Sequence, residues 1–259
     1  MNAVLTTKGL SRHFGAVVAA NDINVTINEG ESVGVIGANG AGKTTFINMV
    51  TGYLPPSDGE IHFLGQPIAG NGPRQLMRQG LSRTFQVPQL FQELSVMDNL
   101  VIALAAAEGR HLNPLIPVHT EARKQAAAAI LDQMNLGAYR QEFVNAMPQG
   151  ARKLLDIAMA MLSQPTMILL DEPTSGVSIE EKYTVMDTVM SVVHERNLTV
   201  LFVEHDMEVV RRYVTRLLAF ADGSVIADGP AGDVLDDDRV QELITGKAKP
   251  AASAEPVEN

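Results

Sequence analysis

Gly37-Ala38-Asn39-Gly40-Ala41-Gly42-Lys43-Thr44 keeps every fixed position of the phosphate-binding pattern Gly-x4-Gly-Lys-Ser/Thr. Such a loop needs glycine because its backbone turns in ways a Cβ forbids, so that successive N–H groups converge on an anion. Lys43 then reaches the β- and γ-phosphates, and the Thr44 hydroxyl is a ligand for Mg²⁺. Ser32-Val33-Gly34-Val35-Ile36 reads as a buried strand feeding the loop. Thr44 to Thr51 reads as the helix that follows, ended by Gly52. Phosphate would sit on that helix's N-terminus, where unpaired N–H groups and the dipole favour negative charge. A glycine-rich turn without a ligand is the competing reading, and the coincidence of pattern and strand–helix setting weighs against it. Gly37, Ala38, Asn39, Gly40, Ala41, Gly42, Lys43, Thr44 and Thr45 are therefore assigned to nucleotide binding.

Two apolar runs downstream repeat the logic of a central parallel strand covered on both faces. Met167-Ile168-Leu169-Leu170 leads into Asp171-Glu172-Pro173, and Thr199-Val200-Leu201-Phe202-Val203 leads into Glu204-His205-Asp206. Open α/β sheets bind ligands beyond the carboxyl ends of their strands. Asp171 is thus placed to hold Mg²⁺ through water, Glu172 to polarise the attacking water, and His205 to reach the γ-phosphate. Each carboxylate has an alternative use as a cap of the turn at Pro173, and a lone histidine after a strand is more often structural.

A chain of 259 residues with 46% hydrophobic and 19% charged residues has the size and composition to bury a globular core. No apolar stretch approaches 18 residues and no signal-peptide pattern opens the chain, so a cytoplasmic protein reaching any membrane through a partner is expected. Zero cysteines exclude disulfides, thiolate metal sites and cysteine nucleophiles. The net charge of −10 argues against nucleic acid as the main partner.

The first third is strand-rich. Ile23, Val25 and Ile27 alternate with polar residues, Glu29-Gly30 turns into the central strand, and Ser57-Asp58-Gly59 is read as a turn before a strand over Glu60–Leu64. From about Pro88 to Gln164 the pattern turns helical. Thr120 caps a helix that begins at Glu121 and stops at Gly137; another, from about Arg152, carries Leu154, Ile157, Ala158 and Met161 on one face. Ala221-Asp222-Gly223-Ser224 reads as a hairpin turn. The expected fold is α/β: a RecA-like P-loop NTPase core with an N-terminal antiparallel β part and a helical insertion. Residues 1–87 and 165–245 form the core, 88–164 the helical subdomain, and 246–259 a disordered tail.

These motifs, in this order over residues 3–245, resemble the ATP-binding subunits of ABC transporters. The resemblance implies that ATP with Mg²⁺ is sandwiched between two such subunits, and that closure of the pair drives two transmembrane permease subunits. It assigns Phe14 to stacking on adenine, a role an isolated aromatic would not suggest; Gln86 to linking Mg²⁺ and the attacking water to the helical insertion; and His205 to the switch position. Arg83-Thr84-Phe85-Gln86-Val87-Pro88-Gln89-Leu90-Phe91 and Val203-Glu204-His205-Asp206-Met207 resemble the importers of branched-chain amino acids, urea and amides. That implies a peripheral ATP hydrolase on the cytoplasmic face of the inner membrane, served indirectly by a periplasmic or extracellular solute-binding protein. A regulatory or non-transport ABC protein that binds ATP with little hydrolysis is the competing expectation. Val87, Leu90, Phe91 and Leu94 are candidates for an apolar groove that receives a permease helix, although such residues are more often core.

The family signature Leu-Ser-Gly-Gly-Gln aligns with Met147-Pro148-Gln149-Gly150-Ala151, where only Gly150 survives. Pro148 has neither hydroxyl nor N–H to offer a γ-phosphate across the dimer. Leu154 and Met159 replace frequent arginines, and Ser178 replaces an aspartate. One reading is drift around a working ATPase. The other notes that the groups used in cis are present while those offered in trans are damaged, which implies a different ATPase subunit as partner.

Overall fold

The computed structural model describes residues 2–85, 89–108 and 117–245. β1 (Ala3–Phe14) and β2 (Val17–Asn28) pair as a long antiparallel hairpin whose register shifts at bulges, with alternating burial along the second half of β2. With β4 (Asp58–Phe63) and the short β5 (Gln66–Pro67) it forms a four-stranded sheet ordered β2-β1-β4-β5. The strand expected over Glu60–Leu64 starts at Asp58, because Asp58 already pairs with Ser11; the turn comes at its other end, where Leu64 and Gly65 take positive φ.

The second sheet is built on β3 (Ser32–Gly37), buried at every residue. Its order is β10-β9-β3-β8-β7-β6, from β6 (Leu81–Arg83), β7 (Met167–Asp171), β8 (Thr199–Val203), β9 (Arg216–Ala221) and β10 (Ser224–Pro230). The β6, β7, β8, β3 and β9 pairings are parallel, and only β10 closes the edge antiparallel through the Asp222-Gly223 turn. This is the architecture of a P-loop NTPase.

The pleat divides the core between the two faces of the second sheet. Val33, Val35, Leu169, Leu201 and Phe220 pack towards the antiparallel sheet and α1 (Lys43–Val50), where Phe46 and Phe220 stack with centroids 5.3 Å apart. Ile168, Leu170, Val200 and Phe202 pack instead against the helices of the other face. After the short α2 (Pro73–Arg78) these are α3 (Val96–Ala107), α4 (Glu121–Gln133), α5 (Gln149–Met161), α6 (Ile179–Glu195) and α7 (Met207–Tyr213). The short α8 (Ala231–Asp236) and α9 (Asp238–Thr245) follow β10.

Thr120 caps α4 as read, but that helix ends at Gln133, with Asn135 at φ 55° closing it before Gly137. α5 starts at Gln149 rather than Arg152. Proline ahead of a helix breaks nothing, since its missing N–H would be unpaired there anyway, and Pro148 sits at the cap. The expected tail, 246–259, lies outside the described residues.

Candidate functional site

Register decides which residues share the sheet's carboxyl rim. Val35 pairs with Val203, and Val203 with Asp171, so Ile36, Glu172 and Glu204 stand level at the rim, with Gly37 one residue beyond. They open into a cleft of about 700 Å³ lined by Asn39 to Thr45, Asp171, Glu172 and His205.

The loop from β3 to α1 is shaped by close approach. At Gly37, with φ +152°, a Cβ would lie 2.4 Å from the carbonyl oxygen of Phe220. Gly42 caps α1 at φ +98° and offers no side chain, so the first N–H groups of the helix are left for an anion. Lys43 Nζ donates to the carbonyls of Gly37 at 2.5 Å and Ala38 at 2.9 Å, folding the lysine back along its own loop. Burial holds this ammonium below its ordinary pKa, and the Glu172 carboxylate partly offsets that.

Glu172 adopts φ 48°, uncommon for a residue with a Cβ, and its amide donates to the Val203 carbonyl at 2.9 Å. That kink turns its carboxylate towards His205, whose Nε2 lies 3.2 Å from Oε1. Beside it, Asp171 Oδ2 pairs with Arg83 at 2.8 Å. Arg83 also donates to Asn48 and Thr51, with its guanidinium about equally far from the rings of Tyr53 and Phe85. The other Asp171 oxygen and the Thr44 hydroxyl are hard oxygen donors of the kind Mg²⁺ takes.

Phe14 stands outside this lining, half exposed at the tip of the β1–β2 hairpin, with the Arg12 guanidinium 4.7 Å from its ring centroid. Val17, Val18 and Ala19 form the apolar wall at that end of the cleft. Gly37 and Ala38 act through the carbonyls that hold Lys43. Gln86 and Val87 lie outside the described residues. Gly150 packs closely on α6: a Cβ there would come within 3.2 Å of Val185. Ser178, in place of aspartate, caps α6 by accepting from the Glu181 amide.

Several site residues escaped the sequence reading. Arg83 is one. Lys153, 2% exposed, donates to the Glu172 carbonyl at 3.1 Å and so steadies the kinked loop. Asp156, one turn along α5, accepts from the amides of Gln89 and Phe85, the two described flanks of Gln86. Glu204 is buried among backbone amides. The sequence carried no clear signal for Lys153 and Asp156, because with Gln149 and Arg152 they read as the polar face of α5. An apolar groove of about 550 Å³ opens between α2, β6, α3 and α5, lined by Tyr53, Met77, Phe85, Ala103, Ala107 and Met159. Phe91 is half exposed and Leu90 packs against the core instead. Among the described residues no helix is long and apolar enough to cross a membrane.

Comparisons with known proteins agree with this fold. The sequence pattern of the ABC transporter family matches residues 20–175. The chain is 32% identical over 255 residues to the high-affinity branched-chain amino acid transport ATP-binding protein BraF of Pseudomonas aeruginosa, covering 95% of this chain and 98% of that one. It is 31% identical over 251 residues to LivG of Escherichia coli strain K12, covering 95% and 98%. Among solved structures, the ADP conformation of MJ1267, an ATP-binding cassette of an ABC transporter, aligns with a TM-score of 0.85 at 30% identity, covering 95% of this chain and all of that one. A nucleotide-free cassette aligns with a TM-score of 0.82 at 28% identity, covering 93% and 98%. With its phosphate-binding loop, rim carboxylates and histidine on such a cassette, this chain belongs to the ABC transporter family as one of its ATP-binding subunits.

Proposed function

We propose that the chain hydrolyses ATP to drive import of a branched-chain amino acid or a related small polar solute through a membrane permease. The observation that carries the reading is the convergence of the Lys43 loop, Asp171-Glu172 and His205 on one rim, with Glu172 and His205 3.2 Å apart. The named relatives, which are branched-chain amino acid transport proteins, supply the solute class.

In this mechanism the loop amides and Lys43 hold the phosphates, Lys43 exchanging the Gly37 and Ala38 carbonyls for phosphoryl oxygens. Glu172 orients the attacking water and takes its proton. His205 donates towards the γ-phosphoryl oxygens, and its contact with Glu172 keeps both groups on the same face of the cleft. Mg²⁺ would be held by Thr44 and Asp171 with Gln86, and would supply charge neutralisation to the phosphates. Phe14 and the Val17–Val18 wall receive the base.

Residues 1–87 and 165–245 act as the nucleotide-binding core and 88–164 as the helical subdomain. The groove between α2, β6, α3 and α5 receives a permease segment at the cytoplasmic face of the membrane. It shares Arg83 and Phe85 with the nucleotide cleft, so occupant and nucleotide meet at the same two side chains. Pro148 at the start of α5 removes a hydroxyl and an N–H from the segment that would face a second ATP. The complex therefore pairs this chain with a different ATPase subunit, whose intact signature completes the Lys43–Glu172 site.

The test is Glu172→Gln in the complex isolated with its membrane partners, reading ATP hydrolysis and leucine uptake in proteoliposomes. More than half of the hydrolysis should disappear, together with uptake. A smaller loss would refute the unequal pair, and uptake without ATP dependence would refute the transport reading.

A further inference from the structure

Beneath the Glu172–His205 pair lies a carboxylate that the mechanism does not use. Glu204, 4% exposed, is the first residue beyond β8, and both its oxygens are spent on two neighbouring loops. Oε1 accepts from the Thr174 amide at 3.1 Å and from the Thr174 hydroxyl at 2.6 Å. Oε2 accepts from the amides of His205 at 3.0 Å and Asp206 at 3.3 Å. Thr174 follows Glu172 by two residues, so one side chain joins the loop that carries the water-activating carboxylate to the loop that carries the histidine. The far side of the histidine loop is held as well, because Asp206 pairs with Lys182 at 2.6 Å while capping α7.

We propose that Glu204 is a positioning residue for hydrolysis: it locks the Thr174 and His205 loops together and so sets the Glu172–His205 distance. The inference rests on the hydrolytic reading above. Four donors converge on two oxygens, which only a carboxylate can accept in full. An amide presents one acceptor oxygen and one donor group. With its NH₂ towards Thr174, glutamine would set a donor against the Thr174 amide, since only the hydroxyl can turn to accept. With its NH₂ towards the other loop it would face the His205 and Asp206 amides, so either way a donor meets a donor and one loop would be pushed away. The change keeps size and shape, so the damage falls on the relation between the loops rather than on core volume.

The experiment measures steady-state ATP hydrolysis by the isolated complex for Glu204→Gln, His205→Ala, the double variant and Glu172→Gln. We expect Glu204→Gln to lower kcat by at least about tenfold, since displacement of a reacting group by about 1 Å has that order of effect. KM for MgATP should stay within about twofold, because the phosphate loop is untouched. In the His205→Ala background the same substitution should add little, since both changes disable one arrangement. A general structural defect would instead lower activity equally in both backgrounds. Thr174→Val, which removes only the 2.6 Å hydroxyl bond, serves if Glu204→Gln folds poorly, and should give a smaller loss of kcat with the same absence of additivity. Activity of Glu204→Gln within twofold of the parent, or full additivity with His205→Ala, overturns the inference. If Glu172→Gln and His205→Ala leave hydrolysis intact, the hydrolytic reading falls and takes this inference with it.

Discussion

Replacing Asp156 by asparagine should stabilise this protein at neutral pH, although it deletes a buried charge that accepts hydrogen bonds. Burial pushes the Asp156 carboxyl up from 3.8 to about 6, against the opposing pull of the Gln89 amide, Lys153 and the Phe85 amide. Its Oδ2 finds no hydrogen-bond partner among the described residues. The folded pKa lies above the unfolded one, so between those values the folded state binds the extra proton. Stability from this group is present at low pH, falls as pH rises from about 4 to about 6, and stays low above that. At about 1.4 kcal/mol per pH unit of displacement, the ionised acid costs the fold about 3 kcal/mol at neutral pH. Asparagine mimics the protonated acid, keeping an oxygen for the two amides without the charge. The variant should gain about 2–3 kcal/mol at about pH 7.5, or roughly 5–10 °C in Tm for a chain of this size. The gain should fall to about 1 kcal/mol near about pH 4.5 and towards zero only below about pH 4. Urea unfolding of both proteins across that range measures it. A variant less stable than the parent at neutral pH, or a difference that does not narrow with acid, would refute the assignment of desolvation as the dominant cause.

Two further outcomes follow from contacts at the rim. Gly37→Ala would drive a Cβ against the Phe220 carbonyl at 2.4 Å, from a φ that alanine resists, and should cost about 3 kcal/mol or more, read as a lowered urea midpoint and lost MgATP binding. Arg83→Met removes the 2.8 Å ion pair to Asp171 and the bonds to Asn48 and Thr51 while keeping most of the volume between Tyr53 and Phe85. A fully buried broken pair costs more, but water reaches Asp171, so a loss of about 2–3 kcal/mol is expected by the same unfolding measurement.

The parts legible in the sequence were those where chemistry and local pattern coincide. The Gly37–Thr44 run states its conformation in its glycines, and Met167–Leu170 and Thr199–Val203 announce covered strands by apolar continuity. What stayed hidden depends on pairing across the chain. Leu81-Ser82-Arg83 has too little length and no alternation to read as a strand, and becomes β6 only because β7 supplies its ladder. Lys153 and Asp156 look like the polar face of an amphipathic helix, yet both turn inward, since each is received by a loop distant in sequence. Glu204 stands beside His205, whose chemistry draws the eye in the sequence. Its buried role shows only once Thr174 is brought beside it.

The lysine folded onto its own loop builds a competition into nucleotide binding. Lys43 is already chelated by two carbonyl dipoles, so an arriving phosphate does not gain a bare ammonium; it competes for one. Ligand exchange of this kind weakens the hold on a triphosphate and on the diphosphate left behind alike. A cassette that must release its product on every turn benefits from a grip that carries its own competitor, and the carbonyl oxygens of Gly37 and Ala38 are that competitor.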